Sequence, residues 1–438
     1  MSEARGHNKR ETRDMYDSPA YQPRRAWTVA LLLAAMMLVN FLDKVVTGLV
    51  AVPMMKELQL TPSEFGLVGG SLHWLFSISA VVGGFLANRR STRWLLLGMG
   101  AFWALVQLPM LYATSLWTLV ACRVLLGVGE GPASPVATHA LYKWFPDDRR
   151  SLPVALLHSG SAMGLLIAGL MIPWVSTHYG WRSNFAILAV LGLAWCVAWF
   201  LLGREGRVGE TVPGQAPAER LPYRRLLSDS TVLANYFCHF AANWSLALTL
   251  TWVPAYLESG LGLSPMNAGR LFGLFVLVTM PLSLFLAWLS QRLLRAGLPS
   301  RVARGVFVSL CLLASGALSI SLLADLPVGL RMTYMTLSGG LALVMYSVGP
   351  AMLAEVTPST QRGAILAIGN AFSSLAGLSA PIVTGFLVQR SGGLDGAGYA
   401  HGFAVSGVLL LVAGVVGLAW LRPQRSRAQL DRCLVGAG

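Results

Sequence analysis

The chain has 438 residues, of which 55% are hydrophobic and 12% charged, and its mean hydropathy is +0.60. Soluble chains carry about twice that share of charge, so a soluble globular protein is excluded and a polytopic membrane protein is indicated. The net charge is +14, yet its placement argues against a nucleic-acid partner. Of the 33 Lys and Arg, 26 fall in alternate connections and the two tails; the other seven are Lys44, Lys56, Arg123, Arg182, Arg270, Arg331 and Arg390. This is the positive-inside bias, and it predicts a multi-pass cell (inner) membrane protein with both termini cytoplasmic.

Twelve transmembrane helices are predicted, over 27–52, 65–87, 94–113, 116–143, 152–177, 182–203, 232–258, 268–290, 302–323, 328–355, 362–389 and 399–421. Blocks such as "WTVALLLAAMMLVNFL" are about long enough to cross a bilayer core as a helix. The first run is no cleavable signal, because it is too long and contains Asp43 and Lys44. The fourth span carries "RVLLGVGEGPASP", Arg123 to Pro135, with a charge of each sign beside three glycines and two prolines. Gly127, Gly129 and Gly131 permit close approach of a neighbouring helix, and Pro132 bends the helix beside Glu130.

Residues 204–230, rich in Pro, Gly and charge, read as a flexible linker. They divide the chain into a six-helix bundle at 27–203 and another at 231–421, with tails at 1–26 and 422–438. The halves repeat one another: Pro146 and Pro358, Arg150 and Arg362, and His158 and Asn370 are all separated by the same interval. Gly131-Pro132 similarly answers Gly349-Pro350. Parallel six-helix repeats around a midplane site are a transporter architecture.

Asp43, Lys44, Arg123 and Glu130 are the four strongly ionisable residues well inside the predicted spans. Each costs about 2.5–3.5 kcal/mol at a helix centre if uncompensated, so they must pair, face water or shed charge. Arg123 and Glu130 are seven residues apart in the chain. That spacing puts them on one helix face, about 10 Å from each other. Each therefore needs a partner elsewhere, and Asp43 and Lys44 are available. The arrangement points to a proton and substrate site between the first and fourth spans; the alternative is a pair of ion bridges that only orients two helices. His158 either contacts substrate or packs, and Asn40, Asn235 and Asn243 either line a cavity or join helices. Trp252 is read as a cavity wall.

The stretches "NFLDKVVTGLV", "RVLLGVGEGPASP", "YKWFPDDRR", "YGWRSNFAI", "LTWVPAYL" and "EVTPSTQRGAILAIGNAFSSLAG" resemble the major facilitator superfamily, and within it the anion:cation symporter group. That group includes sugar-acid, phthalate and vesicular glutamate carriers and sialin. The resemblance implies an all-α fold of two pseudo-symmetric six-helix bundles rocking around a central cavity. It implies protonation at Asp43 and Glu130 with Arg123 in support, a substrate carboxylate on Lys44, and substrate contacts from Asn370, Ser347 and Ser161. Lys44 stands where the family usually has arginine, giving a point charge rather than a planar fork. Phe41 and Phe76 stand where tyrosines are common, which removes two hydroxyls that a polyhydroxy sugar acid would use. In the loop "GFLANRRSTR", Asn88 and Ser91 replace a signature aspartate and glycine, so a gating latch built on Asn88, Arg89 and Arg93 is weakened.

These readings predict proton-coupled symport of a small organic anion. An incoming anion competes for the cation, and the released carboxylate takes a proton in a poorly hydrated cavity, so each ligand favours the other. Competing readings are a spinster-like lysolipid or drug transporter of the same fold and, outside carriers, a channel. The sequence holds no Walker loop, nucleophile elbow or metal-spaced His/Cys set, and the five cysteines are scattered. No enzyme activity, cofactor, metal or nucleic acid is expected, and the expected unit is a monomer in the lipid bilayer.

Overall fold

The computed structural model describes residues 22–146, 149–206, 221–358, 361–394 and 397–435. Among these, ten helices are long and apolar enough to cross a membrane. Two further spans complete twelve. The fourth consists of Leu116–Glu130 and Ala133–Tyr142, interrupted at Gly131-Pro132. The seventh is Ser230–Thr251, whose apolar run is diluted by Asn235, His239 and Asn243.

Several boundaries differ from expectation for local reasons. The first span is Pro23–Leu49, continued as Ala51–Leu58. The second begins at Pro62 because Thr61 and Glu64 form a reciprocal capping box. The Glu64 N–H donates to Thr61 Oγ1 at 3.2 Å, and the Thr61 N–H donates to Glu64 Oε2 at 2.8 Å. The span then breaks between Ser71 and Phe76. There the His73 and Trp74 amides bond three residues back, to Gly70 and Ser71. The tenth span, Val328–Val356, runs through Gly349-Pro350 without interruption, while Asn235 donates to the Gly349 carbonyl at 3.0 Å. The two Gly-Pro pairs are thus not structural equivalents.

The 204–230 connection is partly built: Tyr223–Leu227 is helical, and Gln361 exchanges two hydrogen bonds with the Leu221 backbone. Residues Pro423–Val435, read as a tail, form an amphipathic helix whose Leu430 packs near Leu226 and Tyr236.

The halves meet along spans 2 and 11 (Arg362–Arg390), 5 (Ser151–Tyr179) and 8 (Pro265–Arg295), and 1 and 7. On the side opposite the 203–221 connection the seam is tight. A methyl on Gly48 would overlap the Leu250 carbonyl and lie 3.1 Å from Thr251 Cα. One on Gly70 would likewise overlap the Leu378 carbonyl. Trp252 is buried in this seam, donating to the Pro381 carbonyl at 3.0 Å and stacking edge-on against Phe65. Span 2 follows span 11 as far as Ser77, whose hydroxyl reaches the Ala371 carbonyl at 3.5 Å. Towards the connection side, polar His158, Ser347 and Asn370 are exposed. The molecule is therefore sealed on the far side and cleft on the connection side. Gly48→Ala is expected to loosen the seal. Labelling of a cysteine placed at Ser63, in an otherwise cysteine-free background, by an impermeant maleimide should accelerate several-fold; an unchanged rate would show that this contact does not hold the halves together.

The connection side of the first half is tied by Glu205. Its carboxylate accepts from Ser91 Oγ, Thr92 N–H and Oγ1, Arg93 N–H and Lys143 Nζ, the last at 2.6 Å. Burial alone would raise its pKa, but Lys143 and the donors at the start of span 3 (Thr92–Gln107) hold it down to about 2. A depressed carboxyl contributes stability above its ordinary value of 4.5, and that contribution is lost as pH falls from about 4.5 towards 2. Glu205→Gln is expected to cost about 1–2 kcal/mol, at the low end for charged hydrogen bonds because the group is partly exposed. Thermal denaturation in detergent at pH 7 checks this, and the deficit should vanish near pH 2. Ser91, which departs from the family loop, thus has a local partner. Arg93 is likewise held within its own half, donating to the Phe200 carbonyl at 2.8 Å and covering Trp94. Arg89 is exposed, and the Asn88 side chain lies outside the described residues.

Candidate functional site

Helical periodicity places Asn40, Asp43, Lys44 and Thr47 along one stripe of span 1, and Arg123, Gly127 and Glu130 along one stripe of span 4. The stripes face each other. Lys44 Nζ lies 3.9 Å from Glu130 Oε2, with the lysine side chain 16% exposed and the glutamate 0%. The ammonium also stands over two phenyl rings, 4.6 Å from the Phe41 centroid and 5.3 Å from that of Phe76. Both are within cation–π range. Arg123 Nη1 donates to the backbone carbonyl of Asp43 at 3.1 Å rather than to its carboxylate. The four charges thus come together as the sequence suggests, but only one direct ion pair forms.

That pair is loose. At 3.9 Å it is an ionic contact without a hydrogen bond. Both Glu130 oxygens, Asp43 Oδ1, Arg123 Nε and both amide atoms of Asn40 are buried without a hydrogen-bond partner. Gln107 lies beside Asp43 and Asn40 beside Glu130, out of bonding geometry. A buried polar network left half satisfied is costly. The arrangement suits groups that exchange partners with a proton, water or an anionic ligand rather than a static bridge.

Local backbone features hold these stripes in place. A methyl on Gly127 would overlap the Leu72 carbonyl, and one on Gly131 the Phe76 carbonyl and Ser79 hydroxyl. The broken stretch of span 2 therefore docks directly on the bend of span 4, and this brings Phe76 over Lys44. His73, in the break, packs its ring 2.5 Å from where a Cβ on Gly377 would stand, and its Nδ1 is buried without a partner. It joins the charged half to span 11.

Across the cleft the second half presents an uncharged wall. Tyr346 OH donates to Asn243 Oδ1 at 2.6 Å, and Asn243 Nδ2 to the Ser373 carbonyl at 2.7 Å. His239 stacks edge-on against Tyr346 at 4.7 Å. Asn370 and Ser347 are exposed, as is His158 on span 5, whereas Ser161 is buried with an unpartnered hydroxyl. Trp252 stands apart in the far-side seal and does not join this wall. Sequence reasoning does not single out Gln107 or Tyr346. Gln107 carries a readable signal, a lone amide in the apolar run "FWALVQLPM"; Tyr346 is indistinguishable from core by composition alone.

The model of the Major Facilitator Superfamily matches residues 32–345. The chain is 26% identical to the hexuronate transporter of Bacillus subtilis over 90% of its own length and 94% of that protein's. It is 23% identical to the D-galactonate transporter of Escherichia coli over 90% and 96% of the two chains. Among solved structures, a bacterial homologue of the human lysosomal transporter Spinster superposes with a TM-score of 0.78 at 17% identity, covering 93% of this chain and 98% of that one. With the matched region, the twelve-span helical fold and its two facing halves agreeing, the chain belongs to the Major Facilitator Superfamily, a family of membrane transporters.

Proposed function

We propose that the protein is a secondary active transporter that carries a small organic anion together with protons by alternating access. The observation that carries this reading is the Lys44–Glu130 contact: a cation at the edge of the cleft, loosely paired with a fully buried carboxylate. An anion entering from the cleft takes Lys44. Glu130, deprived of its counter-charge in a dry environment, is stabilised by protonation. The loaded site carries no added net charge, so its passage through a closed state costs less than that of the bare anion. Asp43 is a second proton acceptor, and Arg123, fixed on the Asp43 carbonyl, positions span 1 against span 4. The similarity to hexuronate and galactonate transporters supports an anionic cargo.

In this reading the bundles span 27–203 and 231–421, the 204–230 connection and both tails are cytoplasmic, and the cleft opens to the cytoplasm. The bend at Gly131-Pro132 lets span 4 change its packing on span 2 during the transition. The test is uptake by proteoliposomes under an inward proton gradient, comparing small carboxylates, lysolipids and cationic drugs. Concentrative carboxylate uptake that requires Lys44 is expected. Lipid or drug movement indifferent to Lys44, or flux at channel rates, would overturn the proposal.

A further inference from the structure

We infer that the cargo is a monoanionic carboxylate with an aromatic body, not a polyhydroxylated acid. The inference rests on the proposal that Lys44 receives the carboxylate, and it concerns what surrounds that point. Three observations converge on it.

The first is the supply of cations. Lys44 is the partly exposed one, whereas Arg123 is buried and engaged with the Asp43 carbonyl. In the second half, Arg304, Arg331 and Arg362 lie at span ends, where they bond Glu355, Asp325 and the Ala354 carbonyl. Among the described residues of the two charged stripes, one accessible cation matches one negative charge; a second carboxylate would be buried there without compensation.

The second is the surface next to the ammonium. Phe41 and Phe76 flank it, and neither offers a hydroxyl. The carboxylate must therefore be approached by a body that tolerates phenyl edges and faces.

The third is the opposite wall. Spans 1 and 7 run parallel and touch where Gly48 meets Leu250 and Thr251. Counting back one turn on span 1 and two on span 7 puts Lys44 just above the level of Asn243. Spans 2 and 11 touch where Ser77 meets Ala371, which sets Asn370 near the level of Phe76. The polar groups of this wall are largely committed to each other: Tyr346 to Asn243, and Asn243 to Ser373. Asn370 and Ser347 stay exposed there, beside the edge-on His239 and Tyr346 rings. A polyol held by its carboxylate on Lys44 would lose water to the Phe41 and Phe76 rings without recovering hydrogen bonds from them. A planar ring with its carboxylate on Lys44 finds offset or edge-to-face partners in Phe41 and Phe76.

The test uses purified full-length protein in detergent and reads thermal stabilisation against concentration of phenylacetate, benzoate, isophthalate, D-glucuronate and D-galactonate. Stabilisation counts as binding at this site only where Lys44→Ala abolishes it. Phenylacetate or benzoate should act at a concentration at least tenfold below either sugar acid, which corresponds to about 1.4 kcal/mol, and below the dianion isophthalate. Phe41→Tyr combined with Phe76→Tyr should move that margin towards the sugar acids. Sugar acids binding as well or better, with Lys44 required, would overturn the aromatic class while leaving anion transport intact. If no carboxylate acts through Lys44, both the class and the proposed function fall.

Discussion

Glu130→Gln is expected to abolish proton-driven accumulation of the anion while leaving its exchange across the membrane. Glutamine keeps the shape of the side chain and its position beside Asn40, but it carries no charge and binds no proton. The variant thus resembles the protonated site permanently. One pH unit is worth about 1.4 kcal/mol per proton, so a carrier coupled to a single proton accumulates its anion about tenfold per unit of gradient. In Glu130→Gln the ratio should fall to one at every gradient, with counterflow at rates similar to the parent. Lys44 is released from its 3.9 Å partner, so anion binding should be undiminished or tighter. Proteoliposome uptake across a series of imposed gradients measures both quantities. A variant that still accumulates substrate about tenfold per pH unit would place the coupling acid elsewhere, with Asp43 the next candidate.

Lys44→Ala is the second large effect. It removes the cation proposed to hold the carboxylate and leaves Glu130 buried beside an uncompensated position. Truncating one member of a buried charged contact costs about 2–5 kcal/mol, so apparent affinity should fall about 30-fold or more. Lys44→Arg should restore much of the binding, because a guanidinium also stacks on the Phe41 and Phe76 rings and offers a bidentate fork. Lys44→Gln should not. Concentration dependence of counterflow in the three variants separates a requirement for charge from one for bulk. Equal affinity in all three would remove Lys44 from the substrate site.

The sequence shows which charges matter more clearly than it shows which atoms meet. Four ionisable residues in apolar runs mark spans 1 and 4, and helical spacing alone turns Asp43, Lys44, Arg123 and Glu130 onto facing stripes. It does not say that Arg123 bonds the backbone of Asp43, because that depends on the distance between helices rather than on periodicity. The bend of span 4 is legible in Gly131-Pro132. The break of span 2 is not: Leu72–Leu75 contains neither glycine nor proline, and the cause is tertiary, the approach of the Leu72 carbonyl to Gly127 on another span.

Repeats mislead in one respect. Gly349-Pro350 answers Gly131-Pro132 in pattern, yet span 10 stays continuous, with Asn235 bonding the Gly349 carbonyl. Glu205 is hidden for a different reason. It lies in a connection whose composition reads as linker, and five donors from residues 62 to 114 positions away converge on it only after folding. A position at a helix end points Trp252 to the cavity wall, whereas the packing of span 7 on span 11 draws its indole into the far-side seal.

The most direct test of the account is whether anion and proton enter together. Proteoliposomes containing the purified protein and an internal pH-sensitive dye, with no imposed pH gradient, are exposed to an inward gradient of a carboxylate that stabilises the protein through Lys44. The account predicts internal acidification that tracks anion entry and is absent in Glu130→Gln. Anion entry with no acidification in the parent protein would contradict it.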